Sequence, residues 1–272
     1  MNGDEKDSTF WFDQALREHY RRRPQWVTRQ ISRSDALFLG RGMLREKVEE
    51  IVEIGSCSGF SAGLLCQALA QMSQAGLIGP KYRVISYDLY RYFKTGRLWY
   101  FKTGRLWPWR RIGAAAREQL TPELMAHIEF RNPFFSLDLR KFHAPGSISC
   151  LFVDANHRHP WPALDILACL DLLAPDALVF MHDINLPAVR GIPDAGAQIL
   201  FDSLPVSKER DIPADGSLGN VGSFRIPRDR EGFKTELRKI IGAHPWQIKV
   251  AWQIKVAKRY LEVLDLKQPS GT

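Results

Sequence analysis

The sequence predicts a doubly wound α/β fold on a mostly parallel sheet, and three observations carry that expectation. First, the stretch Glu49 to Met72 changes its hydrophobic period in the middle. Ile51, Val52 and Ile54 form a short β-branched run, whereas Phe60, Leu64, Leu65, Ala68, Leu69 and Met72 recur at helical spacing, with the turn GSCSG separating the two patterns. Second, Leu151-Phe152-Val153 and Leu178-Val179-Phe180-Met181 are apolar throughout, as strands buried on both faces are, and Ala163 to Leu173 reads as the crossover helix linking them. Third, both of those runs end in polar residues: Asp154, Asn156 and His157 after one, His182, Asp183 and Asn185 after the other. In an open α/β sheet the carboxyl ends of the strands are where ligands bind.

Composition bounds the rest. A chain of 272 residues, 45% hydrophobic and 25% charged, is that of an ordinary globular protein with room for one large α/β domain plus appendages, or for two small domains. No apolar run approaches the roughly 18 residues needed to span a bilayer, and the acidic start MNGDEKDST is unlike a secretory leader, so a cytoplasmic location is expected. Cys57, Cys66, Cys150 and Cys169 stand singly in apolar segments, which points to reduced thiols rather than a zinc knuckle or disulfide framework. The formal net charge is +8, and its densest cluster is Arg21-Arg22-Arg23, with Arg17, Arg29 and Arg33 nearby. That cluster is either a solvated helix face or a patch for a phosphorylated substrate, nucleic acid or an acidic partner.

Taken in order, residues 1–48 read as a polar tail and two helices, Thr9 to Arg22 and Ser34 to Glu49, parted by Pro24 and expected to form a lid or an oligomer contact. After the first strand and helix, Tyr82 to Asp88 is the second strand. Two direct duplications follow: YFKTGRLW at 92–99 and 100–107, and WQIKVA at 246–251 and 252–257. Each unit is too short to bury a core, so neither is a repeat architecture. Arg110 to Ala126 is expected to be helical with a break at Thr121-Pro122, and His127 to Arg131 and Ser147 to Val153 are the third and fourth strands. A helix near Ala195 to Ser203 precedes a final antiparallel pair, Val206 to Ile212 and Leu218 to Ile226. Glu231 to Leu266 reads as a helical appendage or oligomer contact, or else a membrane-surface helix, broken at Gly242 to Pro245. The organisation expected is thus 1–48, a core over 49–227, and 228–272.

The glycine spacing narrows the chemistry. The dinucleotide fingerprint requires G-x-G-x-x-G, whereas Gly55 and Gly59 here have three residues between them. Nucleophile elbows, Walker A loops and H-E-x-x-H segments are absent from the sequence, which disfavours hydrolase, nucleotide phosphatase and zinc protease chemistry. The form Glu53-Ile-Gly55-Ser56-Cys57-Ser58-Gly59, followed by Phe60 and Ser61, resembles the first motif of class I S-adenosylmethionine-dependent methyltransferases. The resemblance implies a seven-stranded Rossmann-like sheet with helical additions at both ends, and S-adenosylmethionine as cofactor. It places Glu53, Gly55, Ser56, Ser58, Gly59, Phe60 and Ser61 at the cofactor's amino-acid end, Asp88 at the ribose hydroxyls, and Asp154 among the cofactor contacts. Asn132, in a segment similar to the N-P-P-F motif of amino-group methyltransferases but lacking the second proline, is either an adenine contact or part of a plain turn.

The segment Asp154-Ala-Asn156-His157, with Asp165 eleven residues on and His182-Asp183 closing the next strand, is similar to methyltransferase family 24. That group is related to small-molecule O-methyltransferases and to the cephalosporin hydroxylase type. His159 stands where an aromatic residue is usual, and Asp176-Ala177 where Gly-Gly is usual. The resemblance implies methylation of a small-molecule hydroxyl. His157 and His182 are the candidate bases, because imidazole titrates near neutral pH, and Asp154 joins them. Asp154 and Asp183, carboxylates at adjacent strand ends, are candidate ligands for Mg or another divalent cation, with Asn185 or His182 as a third. Two other readings stay open: an RNA methyltransferase using the arginine cluster and the aromatic insert, and a methyltransferase-like binding protein without transfer activity.

Overall fold

The apolar spacing of the first 48 residues builds two crossing helices, α1 (Phe10–Arg21) and α2 (Arg33–Arg45). Phe12 and Leu16 of α1, and Leu39 and Met43 of α2, are buried at i, i+4 spacing. A computed structural model describes residues 10–27, 31–93, 110–214, 216–248 and 250–266. Thr9, Arg29, Lys249 and the duplicated YFKTGRLW stretch beyond Phe93 lie outside the described residues. The chain divides into two units, residues 1–134 and 135–272.

In the first unit, Ser32 and Asp35 exchange hydrogen bonds in a capping box that starts α2, a feature worth about 1 kcal/mol. A Cβ on Gly40 would lie 2.3 Å from Leu16 Cδ1, so α1 passes α2 at a glycine. An ion pair from Arg41 to the buried Asp13 ties the same two helices. The second helix stops at Arg45 instead of running to Glu49, because Lys47 turns the chain with φ +49. β1 (Glu50–Ile54) follows and pairs in parallel with β2 (Arg83–Tyr87), which pairs in parallel with β5 (Ile128–Arg131). Helix α3 (Phe60–Gln74) buries Leu64, Leu65, Leu69 and Met72. Arg110–Arg111, expected to open a helix, is instead strand β4, antiparallel to β3 (Tyr92–Phe93). The helical pattern resumes as α4 (Ala114–Gln119) and α5 (Pro122–Met125), parted where Leu120 is extended and Thr121 caps α5.

The second unit contains β6 (Ile148–Val153), α6 (Trp161–Cys169), β7 (Leu173–His182), α7 (Leu186–Arg190), α8 (Gly196–Ser203), β8 (Lys208–Arg210), β9 (Val221–Arg225), α9 (Arg230–Ala243) and α10 (Ala251–Val263). β6 and β7 are parallel, and β9 is antiparallel to both β7 and β8. All nine residues of α6 are buried, as a crossover helix between apolar strands requires. The main sheet is seven-stranded and mostly parallel, with flanking helices, the fold class expected. The seventh β-strand starts at Leu173, where the crossover helix was expected to end, and not at Leu178: Ala174-Pro175-Asp176 is a strand irregularity opposite Ile148 and Cys150. Asp176 there has φ +59, the conformation that a glycine takes without strain. Helix α7 was not expected; its single turn opens with Pro187 and is closed by Gly191 at φ +63. Cys66, Cys150 and Cys169 are buried free thiols, and Cys57 is exposed. Among the described residues no helix is long and apolar enough to cross a membrane.

The appendage α10 is fastened inside the second unit by a buried polar chain. Ser136 donates to Asp165 at 2.6 Å and lies 2.7 Å from the Tyr260 hydroxyl. Burial pushes the Asp165 pKa up to about 7, against the lowering from its bonds to Ser136 and Tyr260. A carboxyl that holds its proton more firmly folded than unfolded contributes stability that is complete below about pH 4 and lost as pH rises through about 7. Asp165→Asn is therefore expected to remove that loss: urea midpoints of variant and wild type should diverge from pH 4 to pH 8 in the variant's favour, and converge in acid.

Candidate functional site

The first strand hands over to a turn braced on three sides within the first unit. Gly55 N–H and Ser56 N–H both donate to Tyr87 O, at 2.8 and 3.2 Å. Cys57 N–H donates to the Asp88 carboxylate at 2.8 Å, and the carbonyls of Cys57 and Ser58 accept from Gly113 and Ala115. Gly59 N–H bonds to Ser56 O, and Phe60 N–H to the Ser58 hydroxyl. The amides of Gly55, Ser56, Cys57, Gly59 and Phe60 are thus engaged inside the protein. Two glycines meet at the helix start: a Cβ on Gly59, at φ +78, would stand 2.5 Å from Gly113 Cα. Below the turn, Glu53 is fully buried and accepts from the Ser86 hydroxyl, which lies 2.5 Å from the Ser56 hydroxyl. Glu53 and Ser56 therefore act on the turn from its buried side, and Ser61 is buried in the first turn of α3.

Asp88 closes β2, and each of its oxygens takes one amide, from Cys57 and Tyr90, both at 2.8 Å. A carboxylate has about four lone-pair sites, so acceptor capacity remains for a pair of hydroxyls. Burial raises the Asp88 pKa, and the amides of Tyr90, Cys57 and Leu89 oppose that rise. Asn132 lies in the loop stitched to it by Asp88 N–H to Arg131 O and Phe134 N–H to Asp88 O. A carboxylate fixed by backbone amides beside a glycine turn fits the ribose and amino-acid ends of an adenosyl sulfonium; Asp88 and the Gly55–Ser61 segment would hold it.

The second unit carries a separate cluster at the carboxyl ends of β6 and β7. His157 Nδ1 lies 2.7 Å from Asp183 Oδ2, and His182 Nδ1 lies 2.9 Å from Asp154 Oδ1 and 3.5 Å from Asp183 Oδ1. Asp183 is 1% exposed and has φ +61, in the left-handed region where Asp is enriched. Burial penalises its charge, but the hydrogen bonds and charges of His157 and His182 outweigh that and hold it well below the usual carboxylate range. Burial likewise lowers His157, yet the Asp183 bond and the Asp183 and Asp154 charges leave it net raised above 6.5. Oxygens of Asp154 and Asp183 and a ring nitrogen of His182 lie within 4.8 Å of one another. Such a donor set fits a divalent ion that accepts imidazole, such as Mn, Fe or Zn, better than Mg, which favours oxygen. The Asn185 side chain donates to Gly219 O at 2.6 Å.

Two supporting residues were not anticipated. Asn220 Nδ2 donates to Asp183 Oδ1 at 2.6 Å. Gln247, in the first WQIKVA copy, accepts from His159 N–H and Ala195 N–H and donates to Pro193 O, bracing the loop that follows His157. Both come from far along the chain, and only a side-chain amide in a turn or loop marks them in the sequence. Of the arginine cluster, Arg21 and Arg22 lie 3.4 and 3.9 Å from Glu18 of α1.

Residues 52–184 match family 24, described as a methyltransferase domain. Among solved structures, the chain is similar to the O-methyltransferase TomG from Streptomyces achromogenes, involved in tomaymycin synthesis and solved with S-adenosylmethionine. Identity there is 18%, coverage 83% of this chain and 99% of that one, and the TM-score 0.50. It is also similar to the S-adenosylhomocysteine-bound methyltransferase PaMTH1 from Podospora anserina, at 16% identity, 83% and 96% coverage, and a TM-score of 0.50. At these identities the likeness is one of fold. Among curated proteins none matches the sequence. The matched domain, the fold and the two motifs agree, and the chain is a class I S-adenosylmethionine-dependent methyltransferase whose methyltransferase domain, residues 52–184, is of the family 24 kind.

Proposed function

We propose that this enzyme methylates a hydroxyl oxygen of a small molecule. The observation that carries the reading is the cluster of two carboxylates and two imidazoles at Asp154, His157, His182 and Asp183. A neutral amine already has a nucleophilic lone pair, whereas a hydroxyl must lose its proton as it attacks. A site furnished with a carboxylate-paired imidazole is suited to the second task. TomG, similar in fold, is named an O-methyltransferase, which is in line with that choice.

When bound, S-adenosylmethionine supplies an electrophilic methyl group on a sulfonium. The chain's own part in the first unit is to hold and orient: Asp88 accepts the ribose hydroxyls, the Gly55–Ser61 turn receives the amino-acid end, Glu53 supports that turn through Ser86, and Asn132 borders the adenine. Positioning of this kind supplies much of the acceleration of an in-line displacement. In the second unit, His157 takes the acceptor's proton at Nε2 while Asp183 steadies the imidazolium through Nδ1. A divalent cation, when bound by Asp154, Asp183 and His182, would lower the pKa of a coordinated hydroxyl. His182 then serves as a ligand and not as a second base.

Four outcomes are expected. Asp88→Ala should weaken S-adenosylhomocysteine binding by about tenfold or more, equivalent to about 1.4 kcal/mol, in calorimetry; unchanged affinity would remove the cofactor assignment. In a homocysteine-release assay over phenols and hydroxy acids, turnover should rise with pH through a midpoint above 6.5, because His157 must be neutral to accept a proton and its pKa is raised. His157→Ala should lower turnover by about 10²–10⁴-fold and abolish that rise. Exhaustive chelation should cut turnover at least tenfold with recovery on adding Mn²⁺; activity indifferent to chelation would leave His157 and Asp183 acting without a metal.

A further inference from the structure

Asp183 accepts a bond from a residue that no motif includes. β9 runs antiparallel to β7 with His182 opposite Val221, so the chain just before β9 faces the chain just after β7. Four hydrogen bonds stitch these ends together. Ile184 N–H donates to Asn220 O at 3.2 Å, Asn185 N–H to Asn220 Oδ1 at 3.0 Å, Asn185 Nδ2 to Gly219 O at 2.6 Å, and Asn220 Nδ2 to Asp183 Oδ1 at 2.6 Å. The orientation of the Asn220 amide follows from its partners. Asn185 N–H can only donate, so it takes the amide oxygen, and the amide nitrogen is left facing Asp183.

We infer that Asn220 is a positioning residue for the methyl-transfer site, fixing the Asp183 carboxylate so that its other oxygen is presented to His157. Asn220 is 5% exposed and Asp183 1%, so water is a poor substitute for the lost donor. An amide suits this task because it carries no charge and cannot change its protonation state, unlike the two histidines that share the carboxylate. The inference rests on the proposed role of Asp183, but it concerns how that side chain is held, whether a proton or a cation occupies its other side. Residues of this kind that orient metal ligands typically alter metal affinity or activity by about 10–100-fold when removed.

The test uses the full chain labelled with ¹⁵N-histidine, without added metal, and reads the hydrogen-bonded ring N–H of His157, identified by its loss in His157→Ala. Asn220→Ala should shift this resonance upfield or broaden it by exchange. Asn220→Asp keeps an acceptor for Asn185 but puts a titratable carboxyl against Asp183 in place of the neutral donor, and should behave likewise. Val221→Ala, which removes buried methyl groups from the same strand, should lower Tm and leave the resonance in place. In a parallel Mn²⁺ titration, Asn220→Ala should weaken binding about tenfold or more, and Val221→Ala should not. Both Asn220 variants giving the wild-type resonance, or Asn220→Ala matching Val221→Ala in both readouts, would overturn the inference. A wild type that binds no Mn²⁺ rules out the proposed cation and leaves the resonance to decide on Asn220.

Discussion

A carboxylate with almost no exposure sits at the end of β7, and much of the second unit is arranged so that it can stay charged. Burying an ion costs several kcal/mol unless its oxygens are hydrogen-bonded, and removal of one partner of a buried pair is more damaging than the pair is beneficial. Asp183 meets that requirement with His157 on one oxygen and Asn220 on the other, and with His182 close by. The antiparallel setting of β9 is what makes this arrangement available. With His182 opposite Val221, the residues preceding β9 lie opposite those following β7, and an amide from position 220 reaches position 183. The left-handed backbone at Asp183 is held by the same stitching.

The glycine turn of the first unit obeys a related rule by different means. Its amides are satisfied by Tyr87 O, Asp88, Ser56 O and the Ser58 hydroxyl, and its carbonyls by the 113–115 segment, so its shape is fixed without a ligand. Glu53, placed by resemblance among the cofactor contacts, lies fully buried beneath the turn with Ser86 and Ser56 above it. What a ligand would meet is a pre-shaped bend and the Asp88 carboxylate. Preorganisation of that sort lets binding energy go into orientation and not into ordering a loop.

Where reading the chain and folding it diverge, single backbone positions are responsible. Hydrophobic period located α1, α2, α3, α6 and every long strand, but Lys47 ends α2 early and Asp176 carries β7 across the stretch between the expected helix end at Leu173 and the expected strand start at Leu178. Arg110–Arg111 is a strand because it pairs with Tyr92–Phe93, a partner that no local pattern reveals. The WQIKVA duplication makes the point most directly. Trp246 and Gln247 lie in a loop, with Gln247 spanning His159, Pro193 and Ala195, whereas Trp252 and Gln253 of the identical second copy belong to α10.

The sequence by itself determined the fold class, the glycine turn, Asp88, and the polar residues at the ends of β6 and β7, because each is a local change from an apolar run to a polar or glycine residue. Tertiary structure alone decided which histidine meets which carboxylate, that Asn220 bonds Asp183, that Gln247 spans His159, Pro193 and Ala195, and that Glu53 lies buried against Ser86. Those are contacts across 26 to 88 positions of sequence, and they are set by strand register and side-chain geometry, which spacing along a chain does not encode.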